Sequence, residues 1–264
     1  MLDRFGMTDS NSVSTPLKET EEVVNAPLID GNDLQEYLQG VGCLQWIAST
    51  LVRPDVAVAA RLLGSARARA NTWHVAQLKH ALRYLKGTPK LGIRLRRNSA
   101  HFRLVVRCDS NWAACKVTRR SVSALHATVG NMPLATICKN QNTVAISSQH
   151  SETIGMSETC RRLMTWRRLL GDLGFPQQGP TILYCDNKAA LALAANQLQI
   201  AELSRHLATR HLYVRELQGR GFVLTDYVKS ASNAADFTTK VLPPAPFLLL
   251  RGVCMGHTTS EDIP

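Results

Sequence analysis

The feature that most constrains the fold is a change in the spacing of apolar residues near position 100. From about 33 to 86 the apolar residues recur at helical spacing, in "DLQEYLQGVGCLQWIAST", "DVAVAARLLGSARA" and "NTWHVAQLKHALRYLKGT". Pro54 is a helix-start signal for the second of these stretches, and Gly87 with Pro89 closes the third. Beyond position 100, short Val-rich and alternating runs are typical of strands. The chain is therefore predicted to combine a helical segment with a mixed α/β domain.

The second part of the chain predicts strands joined by short turns, and then helices alternating with strands. We expect strands at 101–108, 121–130, 134–138 and 143–147, in the first half of 181–196, and at 222–228. We expect helices at about 151–173, in the second half of 181–196, at 201–218 and at 233–240. This order is typical of a mixed sheet flanked by helices.

The charge of the chain points to a polyanionic partner. Lys and Arg number 31 against 20 Asp and Glu, which gives a formal net charge of +11. An excess of this size favours nucleic acid ahead of an acidic membrane as the partner. The alternative at this stage is a merely basic, soluble surface.

Several classes of protein are not expected. The start, "MLDRFGMTDSNSVSTP", has no continuous apolar region, and the apolar stretch "VLPPAPFLLL" is short and interrupted by prolines. We therefore expect neither a secretory signal nor a membrane span. The seven cysteines are scattered without a C-x-x-C pair. They indicate reduced thiols of an intracellular protein that is not secreted, with neither disulfides nor a structural metal.

Acidic residues occur where strands end and where helices begin. Asp109 closes "LVVRCD" and Asp186 closes "ILYCD", each directly after a Cys. Glu152 begins the long helix on its apolar face, and Asp236 opens the last short helix. We expect these four side chains to converge at the carboxyl edge of one sheet. Carboxylates so close repel, so Mg²⁺ or Mn²⁺ is expected there, and a pair of such ions can support phosphodiester hydrolysis.

Each acid also has an explanation without a metal. Asp186 and Asp236 could cap helices, and Glu152 could interact with the helix dipole. Asp109 is the least easily dismissed, because a charge that closes such an apolar strand is uncommon. Residue by residue, the two interpretations stay open.

Seven segments in order resemble the C-terminal part of the Pol polyprotein of copia-type LTR retrotransposons, the tail of the reverse transcriptase followed by the RNase H domain. They are "RFGMTDSNSVSTPL", "YLQGVGCLQWIASTLVRPDVAVA", "HALRYLKGTPKLGI", "CDSNWAACKVTRRSVSA", "TVAISSQHSETIGMSE", "LYCDNKAALALAAN" and "NAADFTTKVL". The resemblance implies an RNase H-like fold, a five-stranded mixed sheet flanked by helices. Residues 1–30 are polar and Ser/Thr-rich and are expected to form a flexible lead. With the resemblance, we expect a helical reverse-transcriptase tail at 31–97, an RNase H-like domain at 98–242 and a C-terminal tail at 243–264.

The resemblance further implies an activity, which is cutting of the RNA strand of an RNA–DNA hybrid. Its catalytic carboxylates fall on Asp109, Glu152, Asp186 and Asp236, which would hold two Mg²⁺ or Mn²⁺ ions. Six basic residues are expected to meet phosphates: Arg119, Arg120, Lys90, Arg94, Arg96 and Arg97. The polymerase part of the polyprotein is an expected partner. Recognition of the hybrid is expected to depend on the shape of its sugar-phosphate backbone and on the 2′-hydroxyls of its RNA strand.

The chain departs from the family pattern at several places. Asn111 stands where a second acid is usual, segment 147–153 lacks the acid that usually precedes the catalytic one, and Arg205 begins a segment unlike the usual "KHID". The chain has no Asp-Asp pair, so no polymerase activity is expected. A catalytically inactive nucleic-acid-binding remnant is the main alternative. An integrase-like transferase is disfavoured, because that class ends on a catalytic Glu whereas this chain ends on Asp236.

Overall fold

The computed structural model describes residues 1–18, 22–50, 53–95, 102–195 and 205–258. The first part is helical, as predicted. It contains α1 (Gly31–Ser49), α2 (Ala57–Ser65) and α3 (Thr72–Gly87). Helix α3 begins at a capping box, in which the Asn71 side chain accepts from the backbone N–H of His74 and the His74 ring accepts from the backbone N–H of Asn71.

The second part is built on one five-stranded mixed sheet, which confirms the predicted fold class. Its strands are β1 (Leu104–Asn111), β2 (Val122–Val129), β3 (Met132–Asn140), β4 (Thr181–Cys185) and β5 (Val223–Tyr227). The order across the sheet is β3-β2-β1-β4-β5. Strands β1, β2 and β3 pair antiparallel, whereas β1–β4 and β4–β5 pair parallel. Because β1 and β4 run in the same direction, their carboxyl ends lie side by side.

Helices cover the sheet. They are α4 (Ser148–Asp172), α5 (Lys188–Ala195), α6 (Arg205–Gly219), α7 (Asp236–Thr239) and α8 (Pro244–Cys254). Helix α4 packs Met156, Cys160 and Leu163 against the apolar side of β1, β2 and β4, and α7 contacts β1, β2 and β3. Every helix in the described ranges is too short or too polar to cross a membrane.

Residues 143–147, predicted as a strand, do not form one. They belong to an irregular connection between β3 and α4, where Val144 is 52% and Ile146 83% exposed. The Ser147 hydroxyl accepts from the backbone N–H of His150 and so begins α4 at this point. The alternation of apolar residues was therefore misleading, since these side chains have no layer of the protein to pack against.

The helical segment is joined to the sheet domain through α8, which lies inside the stretch expected as a C-terminal tail. Pro244 stands at the start of α8, where its missing N–H costs no helical hydrogen bond. Apolar side chains of both parts form one buried cluster: Val56, Tyr84, Ala234, Phe237, Phe247, Leu250, Val253 and Cys254. The helices of residues 31–87 thus have a partner in this chain.

The lead is irregular but anchored. Leu17 is 3% exposed within the core of the helical segment. The backbone N–H of Lys18 donates to Gln77 Oε1 over 3.0 Å, and Lys86 Nζ donates to the carbonyl of Ser10 over 2.6 Å. Residues in the middle of the expected flexible lead therefore pack on α3.

Candidate active site

The sheet brings Asp109 and Asp186 to one edge. Asp109 lies in the last part of β1 and Asp186 directly follows β4, the parallel neighbour of β1. Asp236 begins α7, and the loop before this helix is tied to β1, since the buried Asn233 side chain donates to the carbonyl of Cys108 over 2.9 Å. The location of each aspartate thus follows from the backbone elements around it.

The three aspartates form one cluster. One carboxylate oxygen of each lies within 4.8 Å of the others. Asp109 is 2% and Asp236 7% exposed, and Asp186 is half-buried. The predicted convergence of Asp109, Asp186 and Asp236 is therefore found in the structure, although their roles stay predictions.

Glu152 lies beside this cluster and groups with only one of its aspartates, Asp186. Its Oε1 accepts from the backbone N–H of Ser110 over 3.3 Å, and its Oε2 lies 3.8 Å from Cys185 Sγ. It groups at metal-ligand distances with Cys185 and Asp186. One turn further along α4, Gly155 contacts Ser110, and a Cβ there would collide with the serine hydroxyl. This glycine lets α4 approach β1 closely enough for Glu152 to reach the edge of the sheet.

Three residues that sequence reasoning missed contact the aspartates. The Thr239 hydroxyl donates to Asp109 Oδ2, and Ser230 Oγ donates to Asp186 Oδ2 over 2.6 Å. Lys240 Nζ lies 2.7 Å from Asp236 Oδ2 and 3.7 Å from Asp109 Oδ1. The i,i+4 spacing of Asp236 and Lys240 was a usable signal for this ion pair. No local pattern indicates Ser230 or Thr239.

Glu152, Asp236 and Asp109 resist ionisation at this edge. Burial raises the pKa of Glu152 to about 10, and the nearby Cys185, Asp109 and Asp186 act in the same direction. Burial and the charge of Asp109 raise the pKa of Asp236 to about 7, against the opposing effect of Lys240. The pKa of Asp109 is also raised, chiefly by burial. One lysine is therefore not enough to keep all these groups ionised near neutral pH.

The donor set fits a hard divalent cation. The three aspartates offer only carboxylate oxygens, which Mg²⁺ and Mn²⁺ prefer. Asp236 Oδ1 is buried and has no hydrogen-bond partner among the described residues. A buried acceptor without a donor is costly unless something binds it, and a cation at this edge of the sheet would satisfy it.

The basic residues predicted to meet phosphates lie in two places. Arg119 and Arg120 are exposed on the loop after β1, with Arg119 at a φ of 53°. Lys90 and Arg94 are exposed on the connector after α3, where the Arg94 N–H donates to the carbonyl of Met255 over 2.7 Å. Arg96 and Arg97 lie outside the described residues.

A large cavity among the described residues lies away from the carboxylate cluster. That cavity, of about 820 Å³, lies between α2 and β3. At one end of it, Arg61 donates to Asn140 Oδ1 over 3.1 Å. Asp109 and Asp186 instead lie at the carboxyl ends of β1 and β4.

Known proteins resemble the chain over nearly all of its length, although no protein-family model matches it. The retrovirus-related Pol polyprotein from transposon RE1 of Arabidopsis thaliana is 29% identical over 247 residues, 94% of this chain and 17% of that protein. The corresponding polyprotein from transposon TNT 1-94 of Nicotiana tabacum is 27% identical over 264 residues, 98% of this chain and 20% of that protein. The chain thus spans about a fifth, or less, of the length of these relatives.

Among solved structures, the N-terminal RNase H domain of a Mycobacterium tuberculosis protein, fused to maltose-binding protein, has a TM-score of 0.36 and 13% identity, over 56% of this chain and 96% of that one. A likeness this distant carries no weight beside the sequence relatives. Those relatives match the chain across both its helical segment and its sheet domain. Over nearly its whole length, the chain is similar to retrovirus-related Pol polyproteins of copia-type transposons.

Proposed function

We propose that this chain is an RNase H-type nuclease that cuts the RNA strand of RNA–DNA hybrids. The observation that carries the proposal is the cluster of Asp109, Asp186 and Asp236, whose carboxylate oxygens lie within 4.8 Å of one another at the carboxyl ends of two parallel strands of a mixed sheet. Glu152 borders the cluster on the side of Asp186. Four carboxylates in this arrangement are the donors that a two-ion site for phosphodiester hydrolysis requires.

Two bound Mg²⁺ or Mn²⁺ ions would supply an activated water and would stabilise the leaving oxygen. The chain holds the carboxylates ready for them. The Thr239 hydroxyl fixes one oxygen of Asp109, and the Ser230 hydroxyl fixes one oxygen of Asp186, so both carboxylates are oriented before a cation binds. The Ser110 N–H does the same for Glu152. Oriented carboxylates lose little freedom when they bind a cation, which favours a defined site.

The hybrid would be recognised through its phosphates and 2′-hydroxyls. Arg119 and Arg120 are the best candidates for phosphate contacts, because they are exposed on the loop that continues directly from β1, which carries Asp109. The net charge of +11 favours such contacts over much of the surface. Lys90 and Arg94 are exposed on the connector after α3 and would contact a more distant part of the duplex.

The helical segment at 31–97 and the domain at 98–242 are proposed to act as one unit within a longer Pol polyprotein. Their described parts share the buried cluster around Tyr84 and Phe247. The polymerase portion would precede this unit and would deliver the hybrid to it.

The proposal is tested by incubating the purified chain with a hybrid that carries a labelled RNA strand, with and without Mg²⁺. We expect metal-dependent cutting of the RNA strand, lost in Asp186→Asn. Asp226→Asn is the matched control, because Asp226 is an exposed acid on neighbouring β5 and lies outside the cluster. Binding of the hybrid without cutting, unchanged by Asp186→Asn, would leave an inactive nucleic-acid-binding remnant in place of the nuclease.

A further inference from the structure

The side chain of Lys240 lies between two of the proposed metal ligands. Its ammonium group is 2.7 Å from Asp236 Oδ2 and 3.7 Å from Asp109 Oδ1. The side chain of Lys240 is 36% exposed, whereas those of Asp109 and Asp236 are 2% and 10% exposed. A cation carried by the chain itself therefore already lies against the two most buried aspartates of the cluster.

A divalent ion shared by Asp109 and Asp236 would need nearly the same place. Mg²⁺ binds carboxylate oxygens at about 2.1 Å. With Lys240 as observed, the ion and the ammonium group would lie only a few ångströms apart in a partly buried site, where like charges repel strongly. Both cannot be held there at once, so binding of this ion requires the ammonium group to leave.

The structure allows the Lys240 side chain to move away from the carboxylates. It follows the last residue of α7, and its side chain reaches the carboxylates from the solvent side, as its partial exposure indicates. Asp109 would keep the Thr239 hydrogen bond after the lysine moves. Asp186 accepts from Ser230, and Lys240 makes no ion pair with it within 4.0 Å, so an ion held mainly by Asp186 meets less competition.

We propose that Lys240 is a tethered competitor for one of the two divalent ions. It occupies the position between Asp109 and Asp236, so that the resting protein binds one ion tightly and admits the second only by displacing the ammonium group. This inference rests on the proposed metal site and adds a residue that sets the affinity for the second ion. Lys240 is in this view a positioning residue, which acts on the ions through the carboxylates.

The test is Mn²⁺ binding without nucleic acid, followed by electron paramagnetic resonance of free Mn²⁺ and by calorimetry. The wild-type chain is expected to bind one ion tightly and a second weakly. In Lys240→Met the second ion is expected to bind about tenfold tighter or more, because one positive charge has left a half-buried site. Lys240→Arg keeps the charge and is expected to titrate like the wild type.

Lys229→Met is the matched control, because Lys229 is an exposed lysine one residue before Ser230 and pairs with none of the described carboxylates within 4.0 Å. It is expected to leave both affinities unchanged. Circular dichroism checks the fold of each variant, and Lys240→Gln replaces Lys240→Met if the latter does not fold. An unchanged second-ion affinity in the neutral variants overturns the inference, and so does a Lys240→Arg variant that behaves like Lys240→Met.

The outcome separates this inference from the proposed function. If the chain does not cut a hybrid but the neutral variants bind the second ion more tightly, the inference about Lys240 stands and the nuclease proposal fails. If the chain cuts and binding is the same in all variants, only the inference about Lys240 fails. If no variant binds Mn²⁺, both fail together.

Discussion

Two groups of buried acids in this protein differ in how their charge is balanced. At the junction of the helical segment and α8, Asp55 is fully buried and accepts from Arg53 over 2.6 and 2.8 Å and from the Tyr84 hydroxyl over 2.6 Å. At the edge of the sheet, Asp109 and Asp236 share one half-exposed lysine and lie beside two further acids.

This difference distinguishes an acid that stabilises the fold from acids that are suited to bind a cation. A buried carboxylate with a charged partner and satisfied oxygens needs nothing else. The network around Asp55 also reaches α8, because Arg251 donates to the Tyr84 hydroxyl over 3.2 Å. A buried group of carboxylates with too little positive charge is unstable by itself and becomes favourable when a cation binds. Neutralising an acid at the site should therefore abolish cutting, whereas neutralising Asp55 at the junction should lower the free energy of unfolding.

The largest effect is expected for cutting in Asp109→Asn. This substitution removes an oxygen ligand at the centre of the cluster, so metal-dependent cutting of the hybrid should fall below detection while the fold remains. Asp55→Asn should keep the specific activity of whatever protein is folded. A gel assay of the labelled RNA strand, normalised to folded protein, gives the comparison, and retained cutting in Asp109→Asn would contradict the assignment of the site.

The next effect is on stability at the junction. Asp55→Asn leaves the buried Arg53 without its carboxylate partner, and breaking a buried pair in this way costs about 3–5 kcal/mol. Urea unfolding should therefore show a much lower free energy of unfolding for this variant. A loss of less than about 1 kcal/mol, as for an exposed pair, would show that the junction does not depend on this network.

A dependence on pH should distinguish the carboxylate edge. Glu152 has a folded pKa of about 10 against an ordinary value of 4.5, so between pH 6.5 and 8 the folded state holds a proton that the unfolded state has lost. Stability of the metal-free protein should then fall as the pH rises, by about 1.4 kcal/mol per pH unit for one such group. Buried His126, with a pKa lowered to about 3 by burial, stays neutral in both states over most of this range.

Urea unfolding at pH 6.5, 7.25 and 8 measures this slope. Glu152→Gln should flatten it, because the amide does not titrate, and saturating Mg²⁺ should also flatten it, because the ion favours the charged form. An equal slope in the wild type and in Glu152→Gln would show that Glu152 does not carry the effect.

The smallest effect is expected for Asp236→Asn in the absence of metal. Because burial and Asp109 raise the pKa of Asp236 to about 7, a neutral side chain should stabilise the metal-free protein at pH 8 by about 1 kcal/mol or more. The same variant should gain less stability than the wild type on addition of Mg²⁺. If Asp236→Asn instead destabilises the metal-free protein, Asp236 is an acid that the fold needs, as Asp55 is.

Local patterns were enough to predict most of the elements. The helical spacing in residues 33–86 and the short apolar runs after 100 correspond to α1–α3 and to the five strands, because each pattern reflects which faces of one element are buried. The prediction of a strand at 143–147 failed, because the exposed apolar side chains of this stretch have no neighbouring layer of the protein to pack against. Helix α8 was missed because its prolines suggested an irregular tail, although Pro is well tolerated at a helix start.

The sequence by itself determined that Asp109 and Asp186 lie at strand ends, since each closes an apolar run and this is local information. It could not determine what surrounds them. The Thr239 and Ser230 hydroxyls and the ammonium group of Lys240 reach Asp109 and Asp186 from parts of the chain 44 to more than 100 residues away, and only the packing of the segment after β5 against the sheet brings them there. The balance of charge at the site was likewise decided by the tertiary structure, because it depends on burial and on distances between elements.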